Sequence, residues 1–360
     1  MSTKKHIAIL QPEIPHYRIE FFSLLRERLE RLDVYVYNSR ETTLQQGLHL
    51  VTNDFTYITN RSIKGVLFYD LLPLLSKRYD TLVLMLHRGH FTTWLLLLTK
   101  FIHRKRLILW GHGISVHRYL NEEKKVSLLM KWMIGLADGV WLYTEKETAM
   151  WKKIFPDKPI VSLNNTISGG EEKTSHSLSL PKEKLREKYG IREKLIILFC
   201  ARFSSADRKA ELLLECIKQL DKNKFGFVII GDGPYKPAIS NYQHVHDMGS
   251  VYDDSIKSEL FLLADIYFQP AWVGLSIVEA MAYGLPIFTL KRTEEIKQCV
   301  EYSYLRDGYN GRIFDDLDSL VQGLNGIQED CILQMGENAR TFVKENLTMH
   351  HMVNAAMSIL

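Results

Sequence analysis

Short runs of consecutive apolar residues alternate along the chain with longer stretches in which apolar residues return every three or four positions. In the first half the runs are HIAIL (6–10), LDVYVYN (32–38), TLVLML (81–86), RLILWG (106–111), GVWLYT (139–144) and PIVSLNN (159–165). Most are apolar on successive residues rather than alternating, the pattern of strands buried on both faces of a parallel sheet. Helical spacing lies between them, as in RIEFFSLLRERLERL (18–32). The series breaks at SGGEEKTSHSLSLPKEKL (168–185), which is polar and without apolar periodicity, and restarts with LIILFCAR (195–202), FGFVIIGDG (225–233), DIYFQP (265–270) and PIFTL (286–290). The prediction is an α/β protein with two Rossmann-like, doubly wound parallel sheets. One domain spans 1–168, a linker 169–190 and the second domain 191–340, with a final helical pattern at 336–360.

A length of 360 residues fits two domains of ordinary size. Lys and Arg total 46 against 42 for Asp and Glu, a formal net charge of +4. That excess permits an anionic partner, and no basic tail points to nucleic acid. The four cysteines, Cys200, Cys216, Cys299 and Cys331, share no zinc-ligand spacing and read as reduced, buried thiols of a cytoplasmic protein. The N-terminus runs straight into a strand without a signal-peptide core, and WLLLLTKFI (94–102) is too short to span a bilayer. Basic and apolar residues mix between 88 and 132: Arg88, Trp94, Lys100, His103, Arg104, Lys105, Arg106, Lys124, Lys125, Lys131 and Trp132. Such a face suits either an ordinary solvated helix surface or peripheral contact with an anionic membrane.

Ligands of open parallel sheets sit beyond the carboxyl ends of the strands, and with two such domains the expected site is the cleft between them. The richest segment is QPAWVGLSIVEAMAYGLPIFTL (269–290). Gly274 allows a tight turn, a helix should start near Leu275 and stop at Gly284, and the N–H groups of Leu275 and Ser276 would offer an anion site. Glu279, one turn in, either complements the helix dipole or accepts hydrogen bonds from a ligand diol. Lys209, at the start of the helix AELLLECIKQL, is unfavourable against the dipole unless an anion is present; otherwise Arg202 and Lys209 are a solvated surface pair.

The same residues carry a resemblance. GLSIVEAMAYGLPI resembles the nucleotide-sugar-binding signature of glycosyltransferase family 4, retaining enzymes of the GT-B fold. The resemblance implies that Glu279 holds the donor ribose, while the family's first glutamate, a donor-sugar contact, falls on Ala271. ILFCARFSSADRKAELLLECI (197–217) resembles the family's strand, arginine, loop and lysine unit, which implies that Arg202 and Lys209 hold the donor diphosphate, with Arg208 a rival because the loop is longer. FVIIGDGPY (227–235), RDGYNGRIF (306–314) and NNTI (164–167) resemble family turns, and HDMGSVYDD (246–254), with Gly249, the stretch near the donor base. In the first half the resemblance points to His16, Tyr17 and Arg18 as acceptor residues and to His112 as a cleft histidine, against capping and structural roles for the same residues. It also implies that 341–360 returns to the first domain.

The expectation is a retaining transferase moving a sugar from a UDP- or GDP-linked donor to a glycan or lipid-linked glycan of a bacterial surface polysaccharide, with no cofactor and no metal. The rivals are a nucleotide-sugar epimerase of the same fold and a non-catalytic nucleotide-sugar-binding partner of a transferase. Asp-x-Asp in DDLD (315–318) reads as a helix N-cap, and the spacing of His87, His90 and His103 does not suit one metal face.

Overall fold

The computed structural model describes residues 3–38, 55–169 and 180–360. The chain forms two compact units, one of Met1–Ser168 with Met349–Leu360 and one of Gly169–Thr348. The strands in chain order are β1 (Thr3–Gln11), β2 (Leu29–Val36), β3 (Thr56–Tyr57), β4 (Asn60–Ile63), β5 (Val66–Tyr69), β6 (Thr81–Met85), β7 (Arg106–Gly111), β8 (Gly139–Leu142) and β9 (Ile160–Ser162) in the first unit. The second has β10 (Leu195–Cys200), β11 (Phe225–Ile230), β12 (Val245–Asp247), β13 (Ile266–Phe268), β14 (Ile287–Leu290) and β15 (Gly311–Phe314).

The first sheet runs β3-β2-β1-β6-β7-β8-β9 and the second β12-β11-β10-β13-β14-β15, both parallel throughout, while β4 and β5 make a separate antiparallel hairpin. The apolar runs are continuous because helices cover both faces: all of LIIL (195–198) and FGFVII (225–230) is buried. In both sheets the strand order reverses beside the first strand, at β1/β6 and at β10/β13, which opens a crevice at the carboxyl ends there.

Three expectations are corrected. The helix expected over 18–32 is Ile19–Arg28, and LERL (29–32) belongs to β2. Leu29 and Leu32 are three apart, which mimics helical spacing, yet both are buried from a strand that pairs in parallel with β1. The last helical pattern is two helices, Glu329–Asn346 and Met349–Met357, so residues 341–346 extend the second unit's long helix. Met349, Met352, Val353 and Ala356 then pack with Ile7, Phe21 and Leu25 in the first unit's core. Of the expected linker, 170–179 lies outside the described residues, and Lys182–Lys188 is a helix of the second unit. Asp265 anchors that helix, accepting from Lys182 Nζ at 2.6 Å and Arg186 at 2.5 Å. Among the described residues no helix is long and apolar enough to cross a membrane. None of the four cysteines is in a disulfide; Cys216 is buried as expected, but Cys200 and Cys299 are half-buried and Cys331 is exposed.

Candidate functional site

The loops that follow β10, β11 and β13 meet at the reversal point of the second sheet. Gly231 and Gly233, in the turn after β11, have φ of +134° and +147°, and a Cβ on either would lie 2.1 Å from the Ala201 carbonyl oxygen or 2.4 Å from that of Phe203. The Gly-Asp-Gly turn is therefore a close-packed support for the loop after β10. Phe203 N–H donates to Asp232 O and Tyr235 N–H to Phe203 O, each at 3.0 Å.

This support presents three cations. Arg202 is exposed. Lys209 has φ +53° and caps the helix Ala210–Gln219 from the left-handed region, with its ammonium 3.6 Å from Glu211. It stands just outside the helix, not inside its first turn, so the dipole argument applies to its charge but not to its backbone. Arg208 and Lys209 are both half-buried, but only Lys209 has a carboxylate beside it. Burial is the largest influence on the Arg208 guanidinium and lowers its pKa, and Arg202 pushes the same way; Tyr267, Cys299 and Cys200 lie close enough to act against it. Burial raises the pKa of Tyr267 and of Cys299, so neither supplies a negative charge at neutral pH. Among the described residues no carboxylate pairs with Arg208, which makes it a cation desolvated without a counter-ion.

The loop after β13 lies beside it. Tyr267 and Ser276 hydroxyls both donate to Gln269 Oε1, at 3.2 and 2.8 Å, and Gln269 Nε2 donates to the carbonyls of Ala271 and Trp272 at 3.2 and 2.7 Å. Gln298, fully buried, takes the Val273 N–H and donates to Pro270 O and Leu290 O. A Cβ at Gly274 would sit 3.7 Å from Cys299 Sγ, the thiol that also neighbours Arg208. The expected helix is Ser276–Ala282, only two turns long. Among the described residues the N–H groups of Leu275 and Ser276 have no acceptor, so they remain available next to the arginine. Sequence reasoning missed both glutamines, whose amide groups fix a loop that has no regular structure of its own.

Two donor-site assignments change in detail. Glu279 is not a lone carboxylate: Lys257 donates to its Oε2 at 2.6 Å. Burial works against the Lys257 charge, but the Glu279 carboxylate outweighs it and raises the lysine pKa. Gly249 has φ +60°, gives its N–H to Asp247 at 3.0 Å and accepts from Gly231 N–H at 2.7 Å, so its backbone is already committed to the turn. Ala271 is fully buried. Trp272 follows it with φ +56°, a left-handed conformation that costs a non-glycine residue about 1 kcal/mol or more.

In the first unit Pro15 leads into a short turn, His16–Arg18. His16 is exposed and Tyr17 half-buried, but Arg18 is buried. Its guanidinium donates to Asn165 Oδ1 and to Thr166 O, and lies 5.8 Å from the Trp110 ring centroid and 5.9 Å from that of Tyr143. Arg18 thus clamps the NNTI turn, the structural role weighed against its acceptor role. His112 is exposed, its ring 4.8 Å from that of Tyr143. Asp316 caps Leu317–Asn325 in a capping box with Ser319. His87 and His90 rings pack at 4.6 Å while His103 bonds to Leu96 O, so the three do not converge. Among the described residues no cluster of His, Cys, Asp or Glu could hold a metal ion.

Residues 194–330 match the family described as Glycosyl transferases group 1. That stretch is the part of the second unit that holds Arg202, Arg208, Lys209 and Glu279. A curated relative, alpha-monoglucosyldiacylglycerol synthase of Acholeplasma laidlawii, is 26% identical over 41% of this chain. An uncharacterized glycosyltransferase of Haemophilus influenzae is 25% identical over 65% of it. The alignments span 38% and 64% of those two proteins. The solved structure of HepE from Anabaena, in complex with UDP and glucose, superposes with a TM-score of 0.65 at 15% identity, covering 98% of both chains. The fold is GT-B.

Proposed function

We propose that this GT-B chain is a retaining glycosyltransferase of the family 4 type. It transfers a sugar from a nucleotide-sugar donor to a glycan or lipid-linked glycan in the cytoplasm, as a step of bacterial surface polysaccharide or glycolipid synthesis. The observation that carries this reading is Arg208, a desolvated cation without a counter-ion at the strand-order reversal, flanked by Arg202, Lys209 and the unused N–H groups of Leu275 and Ser276. A diphosphate supplies the missing charge. As the glycosidic C–O bond breaks, negative charge grows on the leaving oxygen, and fixed cations lower that barrier without a divalent metal. Glu279, oriented by Lys257, receives the ribose hydroxyls. His16, Tyr17 and Arg18 remain the acceptor candidates, and His112 a catalytic one. The UDP and glucose of the Anabaena structure and the glycolipid product named for the Acholeplasma relative support a UDP-linked donor and a lipid-borne acceptor.

A non-catalytic nucleotide-sugar-binding role is the second reading, favoured by Ala271. Its side chain is wholly buried, so the loop offers no carboxylate where the family places its first donor-sugar contact. Calorimetry with UDP-, GDP- and ADP-sugars, followed by nucleotide release with and without a lipid-linked acceptor in EDTA, separates the readings. Acceptor-dependent release in EDTA is expected. Tight binding without release under any acceptor favours the second reading, and loss of release on chelation overturns the metal-free mechanism.

A further inference from the structure

The carboxyl ends of the first sheet gather a polar cluster that the donor chemistry does not use. Glu13 follows β1, Tyr37 and Asn38 follow β2, His87 and His90 follow β6, His112 follows β7 and Tyr143 follows β8. These strands flank the β1/β6 reversal. Their rings meet across the strand ends: His87 lies 4.6 Å from His90, His90 5.5 Å from Tyr37, and His112 4.8 Å from Tyr143. After burial, Glu13 and Tyr143 are the groups that raise the Tyr37 pKa, so Glu13 and the two tyrosines are neighbours.

The cluster holds hydrogen-bonding capacity that the chain leaves unspent. His90 is 5% exposed, and its Nδ1 is buried without a partner. Such an atom is uncommon in a folded interior and calls for a reason. The Tyr37 ring is half-buried, and its hydroxyl makes no hydrogen bond among the described residues. Gly89 N–H donates to His87 Nδ1 at 3.2 Å, so the neutral ring carries its proton on Nε2, free to donate. Burial first and Arg88 second lower the His87 pKa, which keeps that ring neutral at pH 7. Glu13 is half-buried and takes a hydrogen bond from the neutral amide of Asn38. Burial is the largest influence on it and raises its pKa, and no lysine or arginine pairs with it among the described residues. The two arginines nearby are turned elsewhere. Arg18 is buried against Asn165, Thr166 and Met352, and Arg88 lies 3.8 Å from Glu122.

We propose that Glu13, Tyr37 and His87, backed by His90, take the terminal residue of the acceptor, and that this residue is an uncharged sugar. A sugar hydroxyl both donates and accepts. The Glu13 carboxylate is the acceptor for such hydroxyls, and His87 Nε2–H and the Tyr37 hydroxyl are the donors. A phosphate or a uronate offers chiefly acceptors and sets its own charge against Glu13, a like-charge contact that selects against it. This subsite presupposes the sugar transfer proposed above and adds to His16, Tyr17 and Arg18 a specificity of its own.

The test is saturation-transfer NMR of the full chain with the methyl glycosides of glucose, galactose, mannose and N-acetylglucosamine, and with methyl glucuronide and glycerol 3-phosphate as charged probes. At least one neutral glycoside should receive saturation, and the charged probes none. Glu13→Gln should weaken that glycoside roughly 10- to 100-fold and Tyr37→Phe roughly 5-fold, with circular dichroism showing that both variants fold. Saturation of the charged probes alone, of no probe at all, or of a neutral glycoside equally in both variants overturns the proposal. Nucleotide release that acceptors ending in phosphate or uronate stimulate, and neutral-ended ones do not, overturns it too and leaves the transferase reading standing. A neutral glycoside held through Glu13 with no release under any acceptor supports the sugar subsite while removing the transferase reading.

Discussion

Replacing Arg208 by Gln tests the centre of the donor site, because a cation kept for a ligand and a cation kept for the fold respond in opposite directions. In the free protein the guanidinium is half-buried, the titratable groups that act on it most are a neutral tyrosine, thiols and another arginine, and burial acts against its charge. Desolvation without a partner costs a fully buried ion several kcal/mol; for a half-buried one about 1 kcal/mol is the expected scale. Arg208→Gln should therefore raise stability by about 1 kcal/mol in urea unfolding. A diphosphate paired to the arginine through charge-assisted hydrogen bonds gains ~2–3 kcal/mol, so the same variant should weaken nucleoside diphosphate binding roughly 30- to 150-fold in calorimetry. Arg202→Gln, at an exposed position, should cost less. In turnover both should lower kcat more than they raise KM, since the charge they meet is largest in the transition state. Destabilisation of Arg208→Gln with unchanged nucleotide affinity would refute the reasoning and make Arg208 a structural residue.

Other outcomes follow from single contacts. Glu279→Gln should lower stability by about 2 kcal/mol because Lys257 is left half-buried and unpaired, and Glu279→Gln with Lys257→Met should recover most of it. If the double variant bound nucleotide as tightly as wild type in calorimetry, the ribose role of Glu279 would fall. Lys209→Gly relieves the left-handed backbone at φ +53° and should raise the unfolding free energy by about 1 kcal/mol while slowing turnover; a loss of stability would show that the lysine contacts outweigh the strain. His90 is buried with its pKa pushed down to about 4 from 6.5, by burial first and by His87 second. Because the unfolded chain takes up the proton first, stability is full above pH 6.5 and falls by about 3 kcal/mol as pH drops through 4. Unfolding curves of His90→Gln that kept the same slope between those values would assign the loss to other groups.

The strands were legible because a parallel strand buried on both faces is apolar at successive positions, as in LIILF, although the apolar run WLLLL (94–98) is helical. Element ends were less so. LERL at 29–32 satisfies a helical spacing through Leu29 and Leu32, and only the register of β1 against β2 decides that it is a strand. The same limit divides the site. Gly231, Gly233, Arg202, Lys209 and Glu279 stand out in the sequence because turns, strand ends and helix starts are local events. Lys257 lies 22 residues before Glu279 on another helix, and Gln298 reaches Val273 from 25 residues away. Neither distance leaves a periodic trace.

Arg18 shows the same limit from the other side. A basic residue beside His16 and Tyr17 after a first strand reads as a ligand contact, yet its charge is used by Asn165 and Thr166, nearly 150 residues later. Arg208 and Lys209 put both limits side by side. The sequence supplies two adjacent cations, and the resemblance puts Lys209 first with Arg208 as its rival. The left-handed turn at Lys209 separates them: it caps the helix and leaves the lysine close to Glu211, while Arg208 points inward to Tyr267 and Cys299. A cation with a carboxylate nearby has less need of a ligand than one with none, which favours the rival Arg208 over Lys209. A protein that held such a charge for stability alone would gain by replacing it with an apolar residue of similar size. Its retention beside two unused backbone N–H groups is the strongest reason to read this crevice as a binding site for an anion.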